Sequence, residues 1–375
     1  MRRDVFLLSL AAFTSSASLR ATDPLLPLIA EDYAVSTGAA AAAVTSFALA
    51  YGLLQIVCGP LGDRYGRYRT IAAAASVSAL GSLACAAAPD LRSLVLARFV
   101  SGATIGAFIP LSLAWIGDTF PYAQRQGVLA RFLIGQMVGI GFGAAAAGWL
   151  AERYGWRAIF VLLAAALLAI ATALALEAAH QPPPAARAGM AQSFARMPRL
   201  LAERAVRGLL VIGFSEGLLI FGALAFVALH FQRRFGVGPG AAGTLVAVYA
   251  LGGLAYAAVA PRALRRFGEI GLATLGGGAL TAGYALLAAS PWLTLTALGH
   301  TTLQTRLTQV APSARGSTVA LFAAFLFMGQ ASGIWLASQL ADAVGIAPVF
   351  GASAIGLAVL TLAFRRRLLK AAAPS

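Results

Sequence analysis

The sequence holds a single lysine, Lys370, three histidines, two cysteines, and charged residues at only 11% of 375 positions. Each scarcity removes a class of function. Without an internal lysine there is no Gly-rich loop ending in Gly-Lys-Ser/Thr to cradle the phosphates of ATP. His180, His230 and His300 are scattered, and Cys58 and Cys85 sit in apolar runs, so neither a zinc constellation nor a disulfide framework is expected. No nucleophile elbow and no paired carboxylates of a soluble domain occur, so neither enzyme chemistry nor a cofactor is expected.

What the chain has instead is oil. Hydrophobic residues make up 60% of it and its mean hydropathy is +0.82. A water-soluble chain of this composition would expose large apolar patches. The net charge of +15 does not point to nucleic acid, because the arginines lie between apolar segments and not on one polar face. The expected environment is the lipid bilayer.

A helix crossing the hydrocarbon needs about 20 mostly apolar residues. Stretches of that kind lie near 5–30, 38–61, 70–88, 92–116, 127–150, 157–177, 208–231, 240–261, 270–290, 292–311, 316–339 and 344–364. They are numbered here as spans 1 to 12. No alternating strand pattern of a membrane barrel is present, so the predicted fold class is an all-α polytopic membrane protein. The amino terminus resembles a secretory signal, but its apolar pattern runs on through DPLLPLIA, so it is read as an uncleaved span 1. Span 10 is threonine-rich and polar, which puts a full crossing in question.

Basic residues orient the chain. With the amino end inside, Arg64, Arg67, Arg69, Arg125, Arg131, the arginines between 187 and 207, Arg262, Arg265, Arg266, Arg315 and the basic tail fall on the cytoplasmic side. Only Arg92, Arg153, Arg157, Arg233 and Arg234 fall outside, as the positive-inside rule requires. Both termini are therefore expected in the cytoplasm, which demands an even number of spans.

Organisation follows from one polar seam. Residues 178–207 carry Pro182, Pro183, Pro184 and a cluster of arginines. They read as a cytoplasmic linker between a six-helix bundle at 1–177 and another at 208–375. An internal echo supports the division: with Gly66 aligned on Gly268, GDRYGR is matched by LRRFGE, each copy following the second span of its half. Halves related along the membrane normal are one of the transporter architectures.

The segment GPLGDRYGRYRT, residues 59–70, carries the most specific signal. Gly59, Gly62 and Gly66 permit a sharp turn and close helix approach. Asp63, Arg64 and Arg67 stand at the interface, where they can pair with each other or with a helix end. That arrangement reads as a conformational latch. The segment closely resembles the signature loop of the major facilitator superfamily. LVLARFVSGATIGAF (94–108) resembles that family's span-4 motif, and GQMVGIGFGAAAAGWLAERYGWRAIF (135–160) the span-5 segment of its exporters. PLLPLIAEDYAVS and LQTRLTQVAPSARGS are similar to its bacterial proton-linked drug and metabolite exporters. The resemblance implies two six-helix bundles rocking around a central site in a bacterial inner membrane, with Asp63 bracing spans 2 and 11. Two departures stand out: Ile140 follows Gly139 where exporters carry proline, and Ala144 follows Gly143 where they carry glycine. The stripe Gly135, Gly139, Gly143 is also what close helix packing alone would select. In the second loop copy Arg265 occupies the position of Asp63, so no second acidic latch is expected.

Ionisable groups within hydrocarbon are functional candidates by default. Asp23 of span 1 and Arg98 of span 4 lie at matched depths, roughly 10–12 Å from the outer surface at ~1.5 Å per residue, so they are expected to pair. Arg20, three residues before Asp23, is a competing partner. Glu216 lies near the midplane of span 7. Asp23, Arg98 and Glu216 are the expected proton-coupling groups. Arg20, Gln55, Gln136, Tyr249, His300 and Gln304 are candidate cavity-lining residues. The expected function is a monomeric, proton-coupled secondary transporter that exports a small organic solute by antiport. Proton–solute symport and a transport-inactive sensor of the same fold are the alternatives.

Overall fold

The computed structural model describes residues 3–180, 198, 200–290 and 316–372. Span 10, with His300 and Gln304, and most of the predicted linker lie outside the described residues. Among the described residues ten helices are long and apolar enough to cross a membrane. They are Arg3–Asp32, Thr37–Tyr65, Arg67–Ala86, Leu91–Thr119, Gln124–Tyr154, Ala158–Ala178, Val206–Phe235, Ile270–Ala289, Ala320–Val344 and Ala347–Arg366. A shorter apolar helix, Pro239–Gly253, stands at span 8, within a helical run, Pro239–Ala289, that breaks at Gly268. The protein is an all-α polytopic membrane protein.

Local chemistry sets the ends of these helices. Ser36 and Asp90 are N-caps, their side-chain oxygens accepting from the N–H groups of Ala39 and Ser93. Gly66 and Gly268 take positive φ, +87° and +63°, and turn the chain between spans 2 and 3 and between spans 8 and 9. These are the two glycines that the internal echo aligns. Span 1 is interrupted where Pro24 removes a backbone donor: a helix over Arg3–Arg20 gives way to a 3-10 turn at Asp23–Leu25, then to a helix over Leu26–Asp32. Span 7 contains a π-helical turn at Gly217–Phe221, where Tyr284 donates its hydroxyl to the Ile220 carbonyl.

Lipid offers no hydrophobic drive between helices, so close packing has to hold them together. Span 5 lies along span 1, and span 11 along span 7, the equivalent pair of the second half. Span 5 also meets span 8, and span 11 meets span 2, so two seams join residues 3–180 to residues 200–372. Toward the end that carries the loops after spans 1, 3, 5, 7 and 11 (the distal end), one continuous apolar core includes Leu25, Ile29, Ala144, Phe160, Phe226, Tyr284 and Phe350. Toward the opposite, proximal end the described core is divided. Val5, Leu8, Ile71, Trp115 and Leu174 form one cluster, and Val206, Leu210 and Leu321 another.

Candidate functional site

The break in span 1 brings its buried charges to the junction of the two halves. Arg20 is 2% exposed, Asp23 0% and Arg98 1%. The turn at Asp23–Leu25 packs against spans 5 and 7 and against the helical run Pro239–Ala289. Arg20 Nη1 donates to Asp23 Oδ2 at 3.2 Å. The expected Asp23–Arg98 pair is thus replaced by a pair within span 1. The reason is local: Arg98 Nη1 and Nη2 both donate to the Ser18 carbonyl at 3.3 Å, in the last turn of a helix where carbonyls lack in-helix donors. Its Nε reaches the Ala43 carbonyl at 3.4 Å, and its guanidinium lies 3.9 Å from the centre of the Phe47 ring. Arg20 rests over Phe221 of span 7, 5.6 Å from the ring centre. Glu216, Gln55 and Tyr249 are buried, and Gln136 is half-buried.

In the 59–70 loop, Arg67 makes a two-sided bridge. It reaches Asp63 at 3.4 Å and Asp118, at the proximal end of span 4, at 2.6 Å. Arg64 is exposed and lies over Tyr65. Gly62 is buried against Leu111, whereas Gly59 faces open space. Asp118 was not among the sequence candidates, and the signal for it is an acid closing the apolar run of span 4.

The stripe of span 5 is in backbone contact with span 1. A Cβ at Gly135, Gly139 or Gly143 would run into the carbonyls of Ser9, Phe13 and Ala17 respectively. The second half repeats the device with Gly329 and Gly333 of span 11 against the carbonyls of Phe214 and Leu218 of span 7. Sequence reasoning missed this second stripe, although its four-residue spacing is visible in FMGQASGI.

Polar contacts close the distal end between the halves. Asp342 accepts from Ser36 Oγ at 2.6 Å and from the Gly38 N–H at 3.1 Å. Arg233 donates to Thr37 Oγ1, and Gln232 to the Pro24 carbonyl. Glu152 accepts from the Gly240 N–H at 2.8 Å, and Trp149 donates to Thr244. A separate clasp gathers the distal loops of the first half: Arg157 pairs with Asp32 at 2.6 Å and donates to the Ala88 carbonyl, as does Tyr33. Burial pushes the Tyr33 phenol up, so it stays a donor. At the cap of span 4, the Ser93 N–H holds the Asp90 carboxyl below its usual range.

Comparison with known proteins meets this geometry. A family model described as the Major Facilitator Superfamily matches residues 8–303. The fatty acid resistance protein FarB of Neisseria gonorrhoeae is 30% identical over 155 residues, 41% of this chain and 31% of that protein. A gallate transporter of Pseudomonas putida is 29% identical over 147 residues, 39% of this chain and 32% of that protein. These matches thus span about a third of each relative's own length. Among solved structures, a bacterial homologue of the human lysosomal transporter Spinster, in an inward-facing and occupied conformation, superposes with a TM-score of 0.76. It is 18% identical, and the superposition covers 98% of this chain and 96% of that one.

Proposed function

The chain belongs to the Major Facilitator Superfamily, and on that premise we propose that it is a secondary active transporter moving a small organic solute by alternating access. The bundles at 1–177 and 208–375 rock about the junction that holds Arg20, Asp23 and Arg98, with 178–207 as the cytoplasmic linker. It works as a monomer in a bacterial cytoplasmic membrane, both termini inside. The proximal end is the cytoplasmic one in this reading, so the closed distal end makes this an outward-closed state. The observation that carries the reading is the ion pair Arg20–Asp23, sealed from water at the point where the halves meet. A buried pair is held only at a desolvation cost, and breaking it leaves an uncompensated charge. Protonation of Asp23 neutralises the acid and leaves the Arg20 guanidinium charged without its counter-ion, so proton binding is linked to whatever movement or ligand supplies a new partner. Glu216 is the second acid of this pathway, and the Arg67 bridge to Asp63 and Asp118 is the latch at the cytoplasmic end.

Export by proton antiport is the form supported by FarB, whose name records resistance to fatty acids. A second reading, proton–solute symport, is favoured by the charges of the site, which leave a cation in excess around Asp23. Fatty acids and gallate both carry a carboxylate, the chemistry that such an excess would meet. Reconstituted vesicles with an imposed pH gradient test the common core of both readings. Asp23→Asn is expected to abolish gradient-driven flux and to leave exchange at equilibrium. Undiminished uphill transport by this variant would remove Asp23 from the coupling. A dye reporting internal pH then separates the two directions: solute and protons move oppositely in antiport and together in symport.

A further inference from the structure

The buried groups at the break in span 1 share their partners unequally. Arg98 gives its guanidinium nitrogens to two backbone carbonyls and lays its face on Phe47. Arg20 touches Asp23 through one nitrogen and one oxygen only, although a guanidinium and a carboxylate can pair through two parallel bonds. The edges left over are Arg20 Nε and Asp23 Oδ1. Both are sealed from solvent and neither has a hydrogen-bond partner, and the hydroxyls of Ser18 and Thr22 beside them are in the same condition. Buried polar atoms are nearly always satisfied, so this cluster has unused hydrogen-bonding capacity for a water, an ion or a polar group of a solute. Arg20 also faces the second half: Phe221 lies under its guanidinium, and Ala21 beside it shares one apolar core with Tyr249 and Tyr284.

We propose that Arg20 is the docking point for the carboxylate of an organic acid, which takes the guanidinium over from Asp23 when Asp23 carries a proton. This inference rests on the reading of Asp23 as the proton site. The exchange balances. A proton from the open aqueous side joins an Asp23 carboxylate oxygen, the Arg20 guanidinium stays charged, and the solute carboxylate replaces the negative charge that protonation removed. The site therefore carries the same net charge empty and loaded, a condition that suits a charged site within hydrocarbon. Anion and proton bind together, which is the symport form of the proposed function and not its antiport form. A planar guanidinium holds a carboxylate in a fork, and Phe221 beneath it offers an apolar face for the remainder of the solute. The titratable and charged groups on the surrounding helices include Arg98 on span 4, Glu152 on span 5, Glu216, His230, Arg233 and Arg234 on span 7, Tyr249 on span 8 and Tyr284 on span 9. A cationic solute in this place would face Arg20 and Arg98 together.

The test uses the full chain in lipid nanodiscs and compares three acids with their primary amides: benzoate, 4-hydroxybenzoate and octanoate. Benzylammonium serves as the cationic probe, at neutral and mildly acidic pH. At least one acid is expected to bind about tenfold or more tightly than its amide, and more tightly at the acidic pH. Arg20→Gln removes the preference and Arg20→Lys keeps part of it. Asp23→Asn keeps the acid preference and loses its pH dependence. No acid exceeding its amide, benzylammonium binding best, or Arg20→Gln retaining the preference overturns the proposal. Thermal melting of each variant checks folding. Should Arg20→Gln fail to fold, Asp23→Asn decides alone, because loss of acid binding in that variant overturns the inference. The outcomes stay separable from the coupling reading: gradient-driven flux that survives Asp23→Asn defeats that reading, whereas acid preference lost or kept at Arg20 judges this one.

Discussion

Arg98 and Asp23 illustrate what depth along a helix does and does not determine. Counting residues places both at one level, and the structure does bury both there. The partner choice depends on the break after Arg20, which exposes the Ser18 carbonyl to Arg98 and turns Asp23 back toward its own helix. Pro24 signals a break, but no feature of the sequence says which carbonyls the break presents. Arg98 is accordingly a structural tie as well as a charge. Arg98→Ala is expected to lower stability by about 1–3 kcal/mol for a carbonyl left buried without a donor, and Arg98→Lys by less. Thermal unfolding in detergent measures both, and an unchanged midpoint for Arg98→Ala would contradict the tie. At the membrane surface, the Asp90 carboxyl is held low by Ser93, so its cap is complete above the ordinary carboxylate range. The cap is lost as pH falls through that lowered value. Protection of the Ser93 amide, its exchange rate relative to the intrinsic rate at the same pH, is expected to fall on acidification in the native chain and to be low at every pH in Asp90→Ala.

Among whole elements, the glycine stripes make the internal repeat physical. Gly135, Gly139 and Gly143 let span 5 lie against the carbonyls of span 1, and Gly329 and Gly333 do the same for spans 11 and 7. Gly139→Val and Gly333→Val are each expected to cost roughly 1–3 kcal/mol or more, because backbone cannot yield as a flexible side chain does. Gly59→Ala, which meets open space, is the neutral control. Comparable losses in both halves, read from melting curves, check the equivalence of the stripes. The first stripe was legible because it sits in a segment resembling exporters. The second was not singled out, since small residues are common in every membrane helix and spacing alone does not name the helix it faces. The loop echo was legible in GDRYGR and LRRFGE, and both of its glycines take positive φ. Gly66→Ala and Gly268→Ala should each cost about 1–3 kcal/mol in backbone strain.

For the molecule as a whole, the continuous core and the cross-half hydrogen bonds coincide at the distal end. None of these partners was legible in advance. Asp342 and Glu152 look like ordinary acids at helix ends, and their contacts join positions hundreds of residues apart or on separate helices. Asp342→Ala removes acceptors for Ser36 and Gly38, and a several-fold shift toward the distally open form is expected. Spin-label distances across the distal loops measure that population. A disulfide between cysteines placed at 36 and 342 should arrest transport and be relieved by reduction.

The distal contacts consist largely of hydroxyls, backbone N–H groups and carboxylates near the aqueous surface. Water can stand in for each partner once they separate, so parting them forfeits little. In the proposed cycle these polar contacts therefore set how the halves meet, and the apolar core behind them carries most of the closure.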